Sequence, residues 1–326
     1  MRVFVTGGSG AIGSRLVSQL IDAGHEVIGT HNSPASAERL RTLGAKPLML
    51  DLLDPRAVRT AVLENQPGAI MHQATALANV KFSRNLDKTL ARTNELRTRG
   101  TDALLAAARE AGVRRFVAQS GAAFARYARQ GGLIKTEDDP IRNPPANMQR
   151  SFAAFDHLER VVTEFGGIAL RYGVFYGARN DGSIEPVRKR QFPLIGDGGG
   201  IFSWIHLDDA AAAAVLALEA DGPAIYNIVD DEPAPVREWL PALAQVLGAK
   251  PPRRFPIWLA RVVAGEAVVV MSTEGRGASN ANAKRELAWT PRYPSWRQGF
   301  PATYSAVSLT DRPKPHPATR RTHSPG

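Results

Sequence analysis

Val3-Phe4-Val5-Thr6-Gly7-Gly8-Ser9-Gly10-Ala11-Ile12-Gly13 opens the chain and decides the fold. A β-branched and aromatic run enters a glycine-rich turn, and an amphipathic pattern from Ile12 to Ala23 leaves it. Gly7 suits the tight turn, Gly10 a close backbone approach to a pyrophosphate, and Gly13 close packing of helix on strand. The helix start presents free N–H groups and the positive dipole end to phosphate oxygens. Gly7, Gly10, Ala11, Ile12 and Gly13 are therefore the expected phosphate-binding residues for a dinucleotide.

Outward from that turn, apolar runs at Arg2–Val5, Glu26–Gly29, Pro47–Leu50, Ala69–Met71, Arg115–Ala118 and Ile168–Leu170 read as strands. Helical spacing fills the intervals at Ile12–Ala23, Ala35–Leu43, Arg56–Glu64, Leu90–Ala111 and Phe152–Phe165. Strand alternating with helix predicts an α/β fold, a doubly wound parallel sheet of Rossmann type over residues 1–169. Beyond it, Gly177–Gly182, Gly196–Gly200 and several prolines break the alternation. Residues 170–304 read as a smaller C-terminal substrate-binding lobe interleaved with the last sheet strands. Asp208-Asp209 look like a helix start, and a further helix is expected over Val236–Leu247. Residues 305–326, poor in apolar side chains, read as a disordered basic tail.

The second strand runs into His31, Asn32 and Ser33, and no acid occurs between Glu26 and Glu38. A carboxylate there accepts from a ribose 2′-hydroxyl and repels a 2′-phosphate. Its absence, with His31, Asn32, Ser33 and Arg39 as donors, favours NADP(H), with NAD as the alternative.

Composition narrows the chemistry. The 326 residues contain no cysteine, which excludes disulfides, thiolate metal sites and a catalytic thiol. The acidic pairs Asp138-Asp139 and Asp230-Asp231 are followed by turns, and no metal site is expected. The net charge is +10, of which the tail carries +3. Only Arg188-Lys189-Arg190 forms a tight basic run, without interleaved aromatics, so no nucleic-acid partner is expected. The apolar stretch Ala210–Leu218 is too short to span a bilayer. Met1-Arg2 lead directly into a strand without a secretory leader, so a cytoplasmic protein without membrane association is expected.

Taken in order, several segments resemble the extended short-chain dehydrogenase/reductase family, the NAD-dependent epimerase/dehydratase group. They are Thr6–Gly13, Asp51-Leu52-Leu53-Asp54, Ile70-Met71-His72-Gln73-Ala74-Thr75, Asn94 with Gly100-Thr101, Leu170–Gly177, and Gly196–Asp209. The resemblance implies an adenine contact at Asp51 beside Leu52. It places Gln73, Ala74 and Thr75 along the cofactor and Tyr172 in the loop closing over nicotinamide. It also implies a substrate-oxygen donor at Ser120, or at Gly121 on a gapless count. The family carries Tyr-x-x-x-Lys, whose lysine and cofactor ribose lower the tyrosine pKa for proton exchange with substrate. Counting back from Glu159 puts Ser151 at the Tyr position and Phe155 at the Lys position, so both proton-handling groups are missing and the chain resembles the atypical members.

Phe202 stands where sugar-nucleotide members often carry an arginine, and a phenyl ring cannot neutralise a diphosphate. Phe202 and Trp204 are either lobe core or the lining of an apolar site. Tyr127 with Lys135 is a candidate relocated acid pair; the alternative is Tyr127 as a pocket-lining or surface residue. His72, His157 and His206 read as structural. The expectation is an NADP(H)-dependent oxidoreductase acting on a small, fairly apolar carbonyl or alcohol, with Ser120, Tyr127 and Lys135 as catalytic candidates. The alternatives are an epimerase or dehydratase using its cofactor transiently, and a non-catalytic NADP(H) sensor. Leu90–Ala111 and Phe152–Phe165 are the faces that would pair in a homodimer.

Overall fold

The computed structural model describes residues 1–77, 84–122, 126–129, 131–178 and 184–310. Seven parallel strands form one sheet: β1 (Arg2–Thr6), β2 (Glu26–His31), β3 (Lys46–Met49), β4 (Ala69–His72), β5 (Arg115–Gly121), β6 (Ile168–Tyr172) and β7 (Ala224–Ile228). Their order is β7-β6-β5-β4-β1-β2-β3, so the chain runs outward in one direction, returns to the centre and runs out in the other. The reversal lies between β1 and β4, where the glycine-rich turn emerges. In open α/β sheets that crevice is the ligand site.

Period-two alternation builds the core. Val3 and Val5 of β1 pack on one face with Leu16, Val17 and Leu20 of helix α1 (Ala11–Asp22). Phe4 points to the other face, against residues of the helices α3 (Pro55–Asn65) and α5 (Thr101–Glu110). Helix α2 (Pro34–Thr42) covers β2, and a Cβ at Gly29 would lie 2.6 Å from Leu40. On the α3 face, helix α4 (Ala91–Glu95) continues through a π-turn, Leu96–Gly100, into α5. Helix α6 (Gln149–Glu164) packs beside them, and α7 (Leu207–Glu219) joins α1 on the opposite face.

The helix start expected at Asp208-Asp209 is found, α7 beginning at Leu207 with both acids in its first turn, but neither carboxylate is the cap. His206 caps α7, its Nδ1 accepting from the Asp208 N–H at 3.1 Å. Asp208 pairs with Arg15 instead, and Asp209 accepts from the Arg292 and Tyr293 N–H groups.

The C-terminal lobe is held by two- and three-residue strand pairs and an aromatic core. Trp204 lies 4.8 Å from Trp239 of α8 (Val236–Val246) and 5.1 Å from Phe300 of α9 (Trp296–Thr310). Phe202 stacks at 5.1 Å on Trp239. Both predicted aromatics thus belong to the lobe core. The segment predicted as a tail from residue 305 begins inside α9; residues 311–326 lie outside the described residues, as do 179–182 of the glycine-rich segment.

Candidate active site

At the carboxyl edge of β1 the turn closes on itself. Gly7 has φ +71°, and a Cβ there would sit 2.8 Å from the Gln73–Ala74 backbone. A Cβ at Gly13 would lie 2.0 Å from the Gly7 carbonyl oxygen. Gly10 caps α1 without any side-chain hydrogen bond, and the first turn holds no acid. The exposed N–H groups are therefore left to an anion, and the cradle fits a pyrophosphate.

Around this turn, His31 is half-buried with Nδ1 unpartnered, and Asn32 is exposed. Ser33 caps α2, accepting from the Ser36 N–H at 3.3 Å and donating to the Ser36 hydroxyl at 2.9 Å. Arg39 reaches back from α2 and donates to the Ser9 carbonyl at 3.0 Å, placing an exposed guanidinium against the cofactor turn. Asp51 is exposed; it accepts from Leu53 N–H and from Arg92. Leu52 beside it is buried.

The end of β4 is buried and incompletely satisfied. His72 donates through Nε2 to the Leu96 carbonyl, so its Nδ1 accepts from the Thr6 hydroxyl at 2.7 Å. Burial keeps this ring neutral, with a pKa of about 4. The Gln73 amide faces the Tyr172 hydroxyl, yet neither makes a hydrogen bond of good geometry and both are buried. Orphaned polar atoms are uncommon inside proteins. These two flank the crevice beside half-buried Ala74 and Thr75, where a polar ligand would satisfy them.

The catalytic candidates are drawn inward. Ser120 donates to Glu159, which also accepts from Arg126 at 3.0 Å and from Arg171 at 2.7 and 2.9 Å. Although burial opposes it, the two guanidiniums hold the Glu159 carboxyl down at about 2. Tyr127 accepts from Arg171 at 2.7 Å and donates to Asn227 at 3.2 Å; it is 1% exposed, and burial pushes its hydroxyl above the usual range. Lys135 donates to Asp139 at 3.1 Å. Tyr127 and Lys135 therefore bind different partners and the relocated pair does not form. Tyr127 fills a core position, and the Ser120 hydroxyl is occupied by a carboxylate.

Helix α6 contains neither tyrosine nor lysine. Ser151 donates to Asp87 at 2.7 Å and accepts from Asn94 at 3.1 Å. The Phe155 ring lies under the Arg97 guanidinium, 3.7 Å from its centroid, and a Cβ at Gly121 would meet that ring at 3.2 Å. Sequence reasoning missed Arg97, Arg126 and Arg171. The signal for Arg126 was its place beside Tyr127; Arg97 carried none, since its position depends on the π-turn. His157, paired to Asp102 at 2.8 Å, and His206 are structural.

A Rossmann sheet with its switch point at a glycine cradle defines a dinucleotide-binding α/β protein. The model of the NAD dependent epimerase/dehydratase family matches residues 3–229, and the chain belongs to that family of NAD(P)-dependent enzymes. Among its relatives is the 3-diazoavenalumate denitrifying reductase of a Streptomyces species. It is 39% identical over 309 residues, spanning 92% of this chain and 99% of the relative. The 2-alkyl-3-oxoalkanoate reductase of Stenotrophomonas maltophilia is 29% identical over 272 residues, covering 76% of each. A solved UDP-glucose 4-epimerase of Thermus thermophilus in complex with NAD superposes with a TM-score of 0.74 at 27% identity, covering 95% of this chain and 99% of its own. The relatives are reductases and epimerases, and the described residues hold no helix long and apolar enough to cross a membrane.

Proposed function

We propose that the chain is an NADP(H)-dependent reductase whose substrate accepts hydride without a proton from the protein. The observation that carries this reading is the pair of positions on α6. Ser151 is tied to Asp87 and Asn94, and Phe155 is packed under Arg97. Neither can give a proton to a developing alkoxide, and Ser120 and Tyr127 are committed to Glu159, Arg171 and Asn227. A bound nicotinamide would supply the hydride. The glycine turn and α1 would hold its pyrophosphate, with Gln73 and Tyr172 offering buried polar atoms to the rest. Arg39 at the turn and the lack of an acid after β2 support NADP(H) over NAD(H).

Reductive removal of a diazo group matches this chemistry and is the activity in the name of the 39%-identical relative. Hydride adds to the diazonium-bearing unit, the C–N bond breaks, nitrogen leaves as N2 and a C–H bond forms. A bound nicotinamide would supply the two electrons as hydride, and the protein neither gives nor takes a proton. Carbonyl reduction, dehydration and epimerisation all move a proton at oxygen and fit this site less well.

The test is oxidation of NADPH or NADH with 4-carboxybenzenediazonium, followed at 340 nm with benzoate as product, against the rate without protein. A parallel panel holds ketones and aldehydes. Protein-dependent loss of NADPH with the diazonium, absent with the carbonyls, is the expected result. Turnover confined to carbonyls, or NADPH binding with no turnover at all, overturns the reading.

A further inference from the structure

Three guanidiniums converge where β4 and β5 end. Arg126 is paired with Asp156 at 2.9 Å and Glu159 at 3.0 Å, and Arg171 with Glu159 at 2.7 Å. Arg97 has no carboxylate within reach among the described residues. Its polar contact is a long one, 3.4 Å from Nη1 to Asn94 Oδ1, and its Nε is buried without a partner. It is 4% exposed. Burial, reinforced by the like charge of Arg126, lowers its pKa to about 9.

A buried cation without a counter-charge is strongly destabilising unless something compensates it. The Phe155 face supplies part of that compensation, since stacking at this distance is a cation–π contact. It leaves the in-plane N–H donors unanswered. Arg97 also sits on the π-turn Leu96–Gly100, an irregularity that disfavours a plain helix and occurs often at functional sites. Directly beside it, the Leu96 carbonyl holds His72 at the end of β4. The cation therefore lies beside Phe155, whose ring borders Gly121 at the end of β5, and is linked through Asn94 to Ser151, so it stands next to the two positions that carry no proton donor.

We propose that Arg97 is the anchor for an anionic oxygen of the substrate, a carboxylate or phenolate held beside the reacting centre. This deepens the reductase reading and rests on it for the location of the substrate. Arg97 would donate its free N–H groups to the oxyanion while Phe155 keeps the guanidinium plane fixed. The ligand's charge would then replace the missing protein carboxylate. A neutral analogue of the same shape would leave the guanidinium uncompensated and bind more weakly. Arg97 is thus assigned to substrate selection for anions over neutral arenes.

The experiment uses the full chain with cinnamate and methyl cinnamate, titrated by calorimetry with and without saturating NADPH. The unmodified protein should prefer the acid by tenfold or more. Arg97→Gln should abolish that preference by weakening the acid alone, and Arg97→Lys should retain part of it. NADPH affinity should stay within about twofold throughout, and thermal melting of each variant establishes that it is folded. Equal binding of acid and ester by the unmodified protein overturns the proposal. So does an Arg97→Gln variant that keeps the preference, which would make the stack on Phe155 purely structural. Loss of NADPH binding in Arg97→Gln with the acid preference intact assigns the cation to a cofactor phosphate and also overturns it. Failure of the unmodified protein to bind NADPH strikes at the reductase reading instead, because the acid–ester comparison is still read without cofactor.

Discussion

Gly13 touches the turn so closely that one methyl group decides its fate. A Cβ would stand 2.0 Å from the Gly7 carbonyl oxygen and 2.8 Å from Gly8 Cα, both backbone atoms that cannot rotate away. Gly13→Ala should therefore push α1 off β1, costing about 1–3 kcal/mol as overpacking does, and weaken NADPH binding at least tenfold in a fluorescence titration. An alanine variant with unchanged affinity would remove the turn from the binding site. Arg39 tests the cofactor preference separately, because it is exposed and pairs with a carbonyl, not a carboxylate. Arg39→Ala should raise the Kd for NADPH about tenfold, on the order of 1.4 kcal/mol, and leave NADH unchanged. These glycines and the acid-free loop were legible in the sequence, since spacing alone carries them. The proton-handling residues were not. Ser120, Tyr127 and Lys135 were chosen for chemistry and proximity along the chain, whereas burial against Glu159, Arg171 and Asp139 decides what they can do.

Between elements, the link that matters most joins α6 to β5 and β6. Glu159 on α6 accepts from Ser120 on β5, from Arg171 on β6 and from Arg126, so one carboxylate clamps three segments. Glu159→Gln leaves two buried guanidiniums short of charge, and breaking a buried pair this way costs about 3–5 kcal/mol. Urea denaturation should register that loss. The same group predicts the acid limb of stability. Its folded pKa of about 2 lies below the ordinary glutamate value of 4.5, so the native state binds fewer protons than the unfolded chain between those values. The stabilisation is fully present above about pH 4.5 and is lost as the pH falls toward 2, to a total of about 3 kcal/mol. Glu159→Gln should flatten that slope; an unchanged profile would show that other carboxylates govern it. Six of the seven sheet strands and the helices between them were legible to within a few residues because apolar spacing of two or of three to four marks them, whereas β7 (Ala224–Ile228) was covered only by the expectation that the lobe is interleaved with the last strands. The π-turn was not, because it shifts hydrogen bonds without changing the apolar pattern. The two-residue strands of the lobe were too short to show any period.

Across the molecule, the sheet and the lobe have separate cores, and their separation was visible only as a loss of alternation after residue 169. The sheet faces are mostly aliphatic, with Phe4, Phe116, Tyr172, Tyr226 and Trp289 set among them, whereas Trp204, Trp239, Trp296, Phe300 and Tyr304 cluster in the lobe. Part of the chain's arginine content is matched by carboxylates within the fold. Arg126 and Arg171 are buried ion-pair partners, and many surface arginines are matched, as Arg59 with Glu110 and Arg160 with Glu164. The residues that would hold the dinucleotide lie at the ends of β1 to β4, with Tyr172 at the end of β6, apart from the tryptophan cluster. Trp239 is the natural probe of that division, since it contacts Phe192, Phe202 and Trp204 at 5.6, 5.1 and 4.8 Å and is 2% exposed. Trp239→Ala should cost about 3–5 kcal/mol of stability as large-to-small core changes do. NADPH affinity, measured on the folded variant, should remain within about twofold. A parallel collapse of NADPH binding would show instead that the two cores act as one unit and that the cradle depends on the lobe for its shape.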